Sequence, residues 1–140
     1  MSISTADLRR VPLLAELDDK ELSRLCKDLT ERTIPSGTPI VSEGRGGIGF
    51  FMILDGKANV LVGEEVVATL GAGDHVGELA LLDGDAPRSA SVVADGEVRC
   101  AAMTAWGFRP FVKDHPAVAW RLLQTLAQRL RDANRARTPA

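Results

Sequence analysis

Three textures of apolar and polar positions follow one another along the chain. In the first, Leu22, Leu25, Cys26 and Leu29 recur at helical intervals on one face. Asp18, with Glu21 three positions later, forms a capping-box pattern, and Pro35-Ser36-Gly37 is a stop. The spacing predicts a helix over 12–32. From 33 to 104 the runs are short and separated by Gly, Asp and Pro. Phe50 to Leu54 ends at Asp55-Gly56, a hairpin signal. Ala58 to Val62 and Val66 to Leu70 follow, then Gly71-Ala72-Gly73-Asp74. Ser91 to Ala94 ends at a second Asp-Gly pair, Asp95-Gly96, before Val98 to Met103. Many short strands at close spacing predict a β-sandwich or roll. In the third texture Thr104 is placed to cap a short helix over 105–113, and Asp114-His115-Pro116 breaks it. Ala119, Leu122, Leu123, Leu126, Leu130 and Ala133 then line a helix over 117–134, and the tail from Arg135 is expected to fray.

Composition narrows the function classes. With 140 residues the chain suits one domain, and 45% hydrophobic with 26% charged allows both a core and solubility. A net charge of -2 argues against a dedicated nucleic-acid surface, which usually shows a basic excess. Cys26 and Cys100 form no motif and fit free, buried thiols in a reducing compartment. There is no transmembrane run. Asp7, Arg9 and Arg10 precede any long apolar stretch, so the start is not a secretion signal. A cytoplasmic protein is expected.

The candidate chemistry lies between 76 and 91. Gly77 permits close backbone approach, and Glu78-Leu79-Ala80-Leu81-Leu82 is long enough for one helical turn. The start of such a turn offers free N–H groups and partial positive charge to an anion. Arg88 returns after the Asp83-Gly84-Asp85 turn. Its planar fork suits two phosphate oxygens, and Ser89 adds a hydroxyl. A carboxylate such as Glu78 would repel phosphate, but it accepts from a sugar hydroxyl. Acid and base together describe a ligand with a phosphate beside a free hydroxyl, the shape of a cyclic phosphate fused to ribose. Hydrogen bonds to charged groups contribute roughly 1.5–3 kcal/mol each. A few of them plus burial of a base reach about −8 kcal/mol, or micromolar binding. Taken singly, Glu78 reads as a helix-dipole charge and Arg88 as a surface charge; at this spacing the ligand reading prevails.

Val76-Gly77-Glu78-Leu79-Ala80-Leu81-Leu82 followed by Pro87-Arg88-Ser89-Ala90-Ser91 resembles the phosphate-binding cassette of cyclic nucleotide-binding domains. That family includes catabolite activator-type regulators, regulatory subunits of cyclic AMP-dependent kinase and cyclic nucleotide-gated channels. Pro35-Ser36-Gly37, Glu43-Gly44, Ile53-Leu54-Asp55-Gly56-Lys57 and Gly71-Ala72-Gly73-Asp74 resemble the family's glycine landmarks in order, and the likeness spans roughly 10–135. The resemblance implies a mainly β fold: a β-roll (double-stranded β-helix, jelly-roll-like) with an N-terminal helix and C-terminal hinge and lid helices. It implies one domain over 1–137, with a helical segment at 1–32, the roll at 33–104 carrying the cassette at 76–91, and helices at 105–135. Arg88 would grip the cyclic phosphate and Glu78 would accept from the ribose 2′-hydroxyl. Gly77, Leu79 and Ala80 would present backbone or small surfaces, Ser89 would bond a phosphate oxygen or the base, and Ala90 completes the ligand-facing set. Val60 and Leu70 would line the base pocket, and Arg129 and Asn134 would reach it from the lid helix.

The sequence also departs from the family. Arg45-Gly46-Gly47-Ile48-Gly49 replaces the usual aspartates after the Glu-Gly landmark, and Phe51 stands where Tyr is common. Ser89 stands where kinase-type cyclic AMP sites favour alanine and cyclic GMP sites threonine, while bacterial activator-type domains can use serine, so the choice of base stays open, with cyclic AMP preferred. The expected protein is a regulator with no chemistry, cofactor or metal of its own. Its lid helix moves with the ligand, and its protein effector is unknown. No membrane contact is expected, and the chain leaves no room for a DNA-reading domain; whether it is a whole protein or a fragment stays open. A nucleotide-blind scaffold of the same fold is the alternative, and a metal-dependent cupin-type enzyme the remote one: His75 and His115 are too few and too far apart. Ala119, Leu123, Leu126, Leu130 and Ala133 alternate four and three apart, a short heptad seam that fits a homodimer. Arg121, Arg129, Arg131, Arg135 and Arg137 suit the C-terminal half of a helix. Trp106 and Trp120 are expected to plug the core or the hinge.

Overall fold

The structure, a computed structural model, describes residues 3–41, 49–77 and 90–137. Helix α1 (Thr5–Arg9) is followed by a 3-10 turn (Pro12–Leu14) and α2 (Asp19–Asp28). Among the described residues six strands come next: β1 (Thr30–Ile34), β2 (Pro39–Val41), β3 (Gly49–Val62), β4 (Glu65–Leu70), β5 (His75–Val76) and β6 (Ser91–Thr104). Helices α3 (Ala105–Asp114) and α4 (Pro116–Arg137) close the chain.

The helix expected over 12–32 is corrected at both ends. Asp18 and Glu21 do form the reciprocal cap, but they open a helix that starts only at Asp19. Pro12 begins a 3-10 turn of its own. Thr30 to Ile34, with two β-branched threonines and an isoleucine, pairs antiparallel with β6 and so leaves the helix. A further helix, α1, precedes all of this. Its signal was Ser4 with Asp7, which bond reciprocally as a second capping box.

The sheet runs β1-β6-β3-β4, with β2 also on β6 and β5 also on β3. The two Asp-Gly pairs are not hairpin turns. Both lie inside 14-residue strands, β3 and β6, which pair with each other from Gly49↔Thr104 to Leu61↔Ser91. The register shifts between Ile53 and Asp55 and again between Asp55 and Lys57, so the ladder bulges where the sheet bends. The bulge is tied down on both sides. Arg10 donates to the Leu54 carbonyl at 3.0 Å, while Ile53 exchanges backbone hydrogen bonds with Gly73 and Asp74 at 2.8 Å.

The unbroken apolar run Phe50 to Leu54 reflects burial on both faces of β3. Phe50, Met52 and Leu54 share a cluster with α1, α2, Phe108, Phe111, Val118 and Leu122. Phe51 and Ile53 face the inside of the roll with Ala58, Val76, Val92, Ala94, Val98 and Cys100. The two-residue period of β3 therefore sorts adjacent side chains into two cores. Thr104 caps α3 as expected, its hydroxyl accepting from Gly107 N at 3.1 Å.

Candidate functional site

Both ends of the cassette stretch are rooted in one apolar cluster. Val76, the last residue of β5, and Val92, near the start of β6, are buried inside the roll and belong to the same core. Val60 and Leu70, the expected base-pocket residues, pack half-buried against that core. Antiparallel pairing of β3 with β4 sets Ala58 opposite Leu70 and Val60 opposite Ala68, and β3 with β6 sets Val60 opposite Val92. A segment leaving at 77 therefore starts where β5 lies opposite Phe51 and, returning at 90, ends beside Val60, with both ends on the core that Val60 and Leu70 also pack against. Gly77 has a φ of +100°, a conformation L side chains rarely adopt, so the chain can turn sharply out of β5 there. Ala90 is half-buried and leads directly into β6. Glu78, Leu79, Ala80, Arg88 and Ser89 lie outside the described residues, as do Glu43-Gly44 and the loop at 45–48.

The C-terminal helix reaches the same strand end. From α4, the Arg129 guanidinium donates to the carbonyl of His75 at 2.7 Å. His75 itself is buried, its ring tilted against Phe50 at a centroid distance of 5.4 Å. Met52↔His75 and Phe51↔Val76 pair β5 with β3, so a cation on α4 is bonded to the strand that feeds Gly77. Asn134 lies more than one turn beyond Arg129 and is exposed. The expected seam splits between two environments. Leu126 packs on the helical core together with Val118 and Leu122, whereas Leu123 and Leu130 are solvent-facing. Trp106 and Trp120, expected in the core or hinge, are exposed at 91% and 64% of their surfaces. Each falls on the outer side of its helix, opposite Phe108 and Phe111 on α3 and Val118 and Leu122 on α4.

Burial pushes the Cys100 thiol up to about 11, and burial also raises Cys26, so both resist forming the thiolate needed for nucleophilic work. Neither is in a disulfide. Among the described residues no three His, Cys, Asp or Glu side chains gather into a metal-binding group. No helix among them is long and apolar enough to cross a membrane.

Comparison with known proteins matches this geometry to a class. Residues 31–115 match the family model of the cyclic nucleotide-binding domain. Over 104 residues the chain is 38% identical to a cAMP-dependent protein kinase regulatory subunit of Yarrowia lipolytica, covering 73% of this chain and 28% of that protein. The catabolite activator protein of Thermus thermophilus superposes with a TM-score of 0.76 at 31% identity, covering 88% of this chain and 60% of that one. A structure described as "Sp-2Cl-cAMPS bound to PKAR CBD2" superposes with a TM-score of 0.79 at 25% identity, covering 96% and 89%. The six-stranded sheet with helices at both ends is thus the β-roll of regulatory cyclic nucleotide-binding proteins. The chain belongs to the cyclic nucleotide-binding domain family. It spans about a quarter of the length of the curated relatives it matches.

Proposed function

We propose that residues 1–137 form a cyclic AMP sensor whose binding signal is passed to α4. The observation that carries this reading is the shared root of the cassette. Val76 and Val92 enclose it and rest on one core with Val60 and Leu70, which brings the ends of the phosphate-binding stretch to an apolar wall fit for a base. Between those ends the sequence keeps Glu78 and Arg88, a hydroxyl acceptor and a phosphate fork. Relatives whose structures carry cyclic AMP or an analogue support the ligand class. Cyclic GMP is the competing ligand, because Ser89 does not match the residue either kinase-type class favours.

Arg129 supplies the route to α4. Its bond to His75 places the helix and the cassette strand in direct contact, so ligand that shifts the cassette shifts the balance of helix positions. Gly77, Leu79, Ala80, Ser89 and Ala90 complete the ligand surface, with Asn134 further along the same helix. The module carries no catalytic group, cofactor or metal; it works in the cytoplasm, without DNA or membrane contact, and hands its signal to a protein effector. Trp120, Leu123, Ala127 and Leu130 are spaced three, four and three apart on the exposed side of α4. That is the a/d period of a paired helix, and it favours a second copy of this chain as a partner.

Calorimetric titration tests the site. Wild-type protein takes cyclic AMP at micromolar affinity, and Arg88→Ala weakens it by about 100-fold or more, the equivalent of two charge-assisted hydrogen bonds. Glu78→Ala removes the preference for cyclic AMP over its 2′-deoxy analogue. Unchanged affinity in the Arg88 variant, or equal loss for both sugars in the Glu78 variant, removes these assignments.

A further inference from the structure

His115 stands at the elbow where α3 ends and α4 begins. Its backbone carbonyl starts α4, accepting from Val118 N at 2.9 Å and Ala119 N at 3.2 Å. Its ring meets two further groups. Nδ1 lies 2.9 Å from the carbonyl oxygen of Phe111, and Nε2 lies 3.4 Å from Oε2 of Glu21 on α2. The ring is half-buried and tilted against Phe111 at 5.0 Å.

A backbone carbonyl and a carboxylate only accept hydrogen bonds. A neutral imidazole has one N–H and can serve only one of them; an imidazolium serves both. Glu21 is held in place for this contact. Its other oxygen, Oε1, accepts from Asp18 N at 3.1 Å in the cap of α2. We propose that His115 is a proton-operated clamp: protonated, it bonds both Phe111 and Glu21 and ties the α3–α4 elbow to α2, and neutral, it gives up the charge that holds Glu21 and can serve only one of the two. The proposal stands on this contact geometry and does not depend on which ligand the cassette takes.

The surrounding charges leave Glu21 as the partner. Lys113 and Asp114, beside His115 in sequence, are exposed. On α4, Arg121 is directed at Glu16, at 3.8 Å. The clamp therefore holds while the imidazole is protonated and Glu21 ionised, and is lost as rising pH removes the imidazole proton. Proton occupancy then decides how firmly the root of α4 is fixed to the N-terminal helix, a mode of control set by the surroundings.

Thermal unfolding of the full chain at pH 5.5 and pH 8.0 tests this in the wild type, His115→Gln, Glu21→Gln and the double variant. Gln at 21 keeps the capping oxygen and removes the charge. His75 is present in every variant, so its own titration cancels in the differences. The wild-type advantage over His115→Gln is expected to be roughly 1–3 °C larger at pH 5.5 than at pH 8.0. Glu21→Gln should lose the same increment, and the double variant should lose no more. A pH-independent advantage, or a Glu21→Gln variant that keeps the full increment, overturns the clamp. Should His115→Gln fail to fold, NMR titration of the wild type and Glu21→Gln gives the answer. Backbone amides of α2 follow the His115 titration only in the wild type, and amides of α2 that ignore it overturn the proposal.

Discussion

Gly56 shows how one residue can be read correctly for its conformation and wrongly for its role. Its φ is +97°, and a Cβ placed on it would come within 2.5 Å of the Glu97 carbonyl. Asp55-Gly56 was expected to turn a hairpin because a glycine with positive φ is what a two-residue turn requires. A bulge requires the same glycine. The deciding fact is the partner strand: β6 runs alongside β3 past the bulge, with Asp55 opposite Arg99 and Lys57 opposite Asp95. No local pattern in β3 carries that information. Gly96 on β6 has a φ of +82° but open space where a Cβ would go. Gly56→Ala is therefore expected to cost about 2–3 kcal/mol or more, and Gly96→Ala about 1 kcal/mol. Urea unfolding with unchanged slope for both variants checks the difference; equal costs would show that the bulge does not need Gly56.

Among the elements, α1 shows what a short segment needs in order to persist. Five residues cannot sustain a helix alone. The Ser4–Asp7 box caps it, and Leu8 is fully buried in the helical core. A fork from the sheet then fixes it: Arg99 on β6 donates to both oxygens of Asp7, at 3.1 and 2.9 Å, and to Glu31 on β1 at 3.0 Å. The hydrogen-bonded Arg99 guanidinium holds the Asp7 carboxyl well below the usual carboxylate range, holds Glu31 low as well, and is itself raised in return. Capping boxes of this kind are legible in sequence; the reach of Arg99 across 92 positions is not, because only sheet pairing brings it to α1. A depressed carboxylate contributes its full stability above its unfolded value near pH 4 and loses it progressively as pH falls from there through the lower folded value. Asp7→Asn should cost about 1–2 kcal/mol at pH 7, with the penalty beginning to shrink below pH 4 and vanishing only as pH falls through the much lower folded-state value. A penalty that does not change between pH 7 and pH 3 would detach this stability from the Asp7 charge.

For the whole molecule, the order of textures, helix then strands then helices, was legible from periodicity alone, because a strand period and a helix period bury different faces. The cassette was legible too, since Gly77, Glu78 and Arg88 form a local chemical pattern. What could not be read was which side of α4 faces the sheet. The expected seam mixed core residues such as Leu126 with exposed ones such as Leu123, because two apolar stripes on one helix overlap in sequence. The structure separates them, leaving Trp120, Leu123, Ala127 and Leu130 outside. Sedimentation of the wild type is expected to show a concentration-dependent dimer. Leu123→Glu with Leu130→Glu should give a monomer with unchanged folding, and a wild type that stays monomeric at tens of micromolar removes the second copy as partner.

The cassette rooted between Val76 and Val92 is the central claim, and binding is its direct readout. Titration of cyclic AMP into the wild type and Arg88→Ala proteins, side by side in one calorimeter, tests it. The account predicts saturable one-site binding near micromolar Kd, weakened by about 100-fold or more in the variant. A folded wild type that releases no heat and gains no thermal stability with millimolar cyclic AMP or cyclic GMP would contradict it.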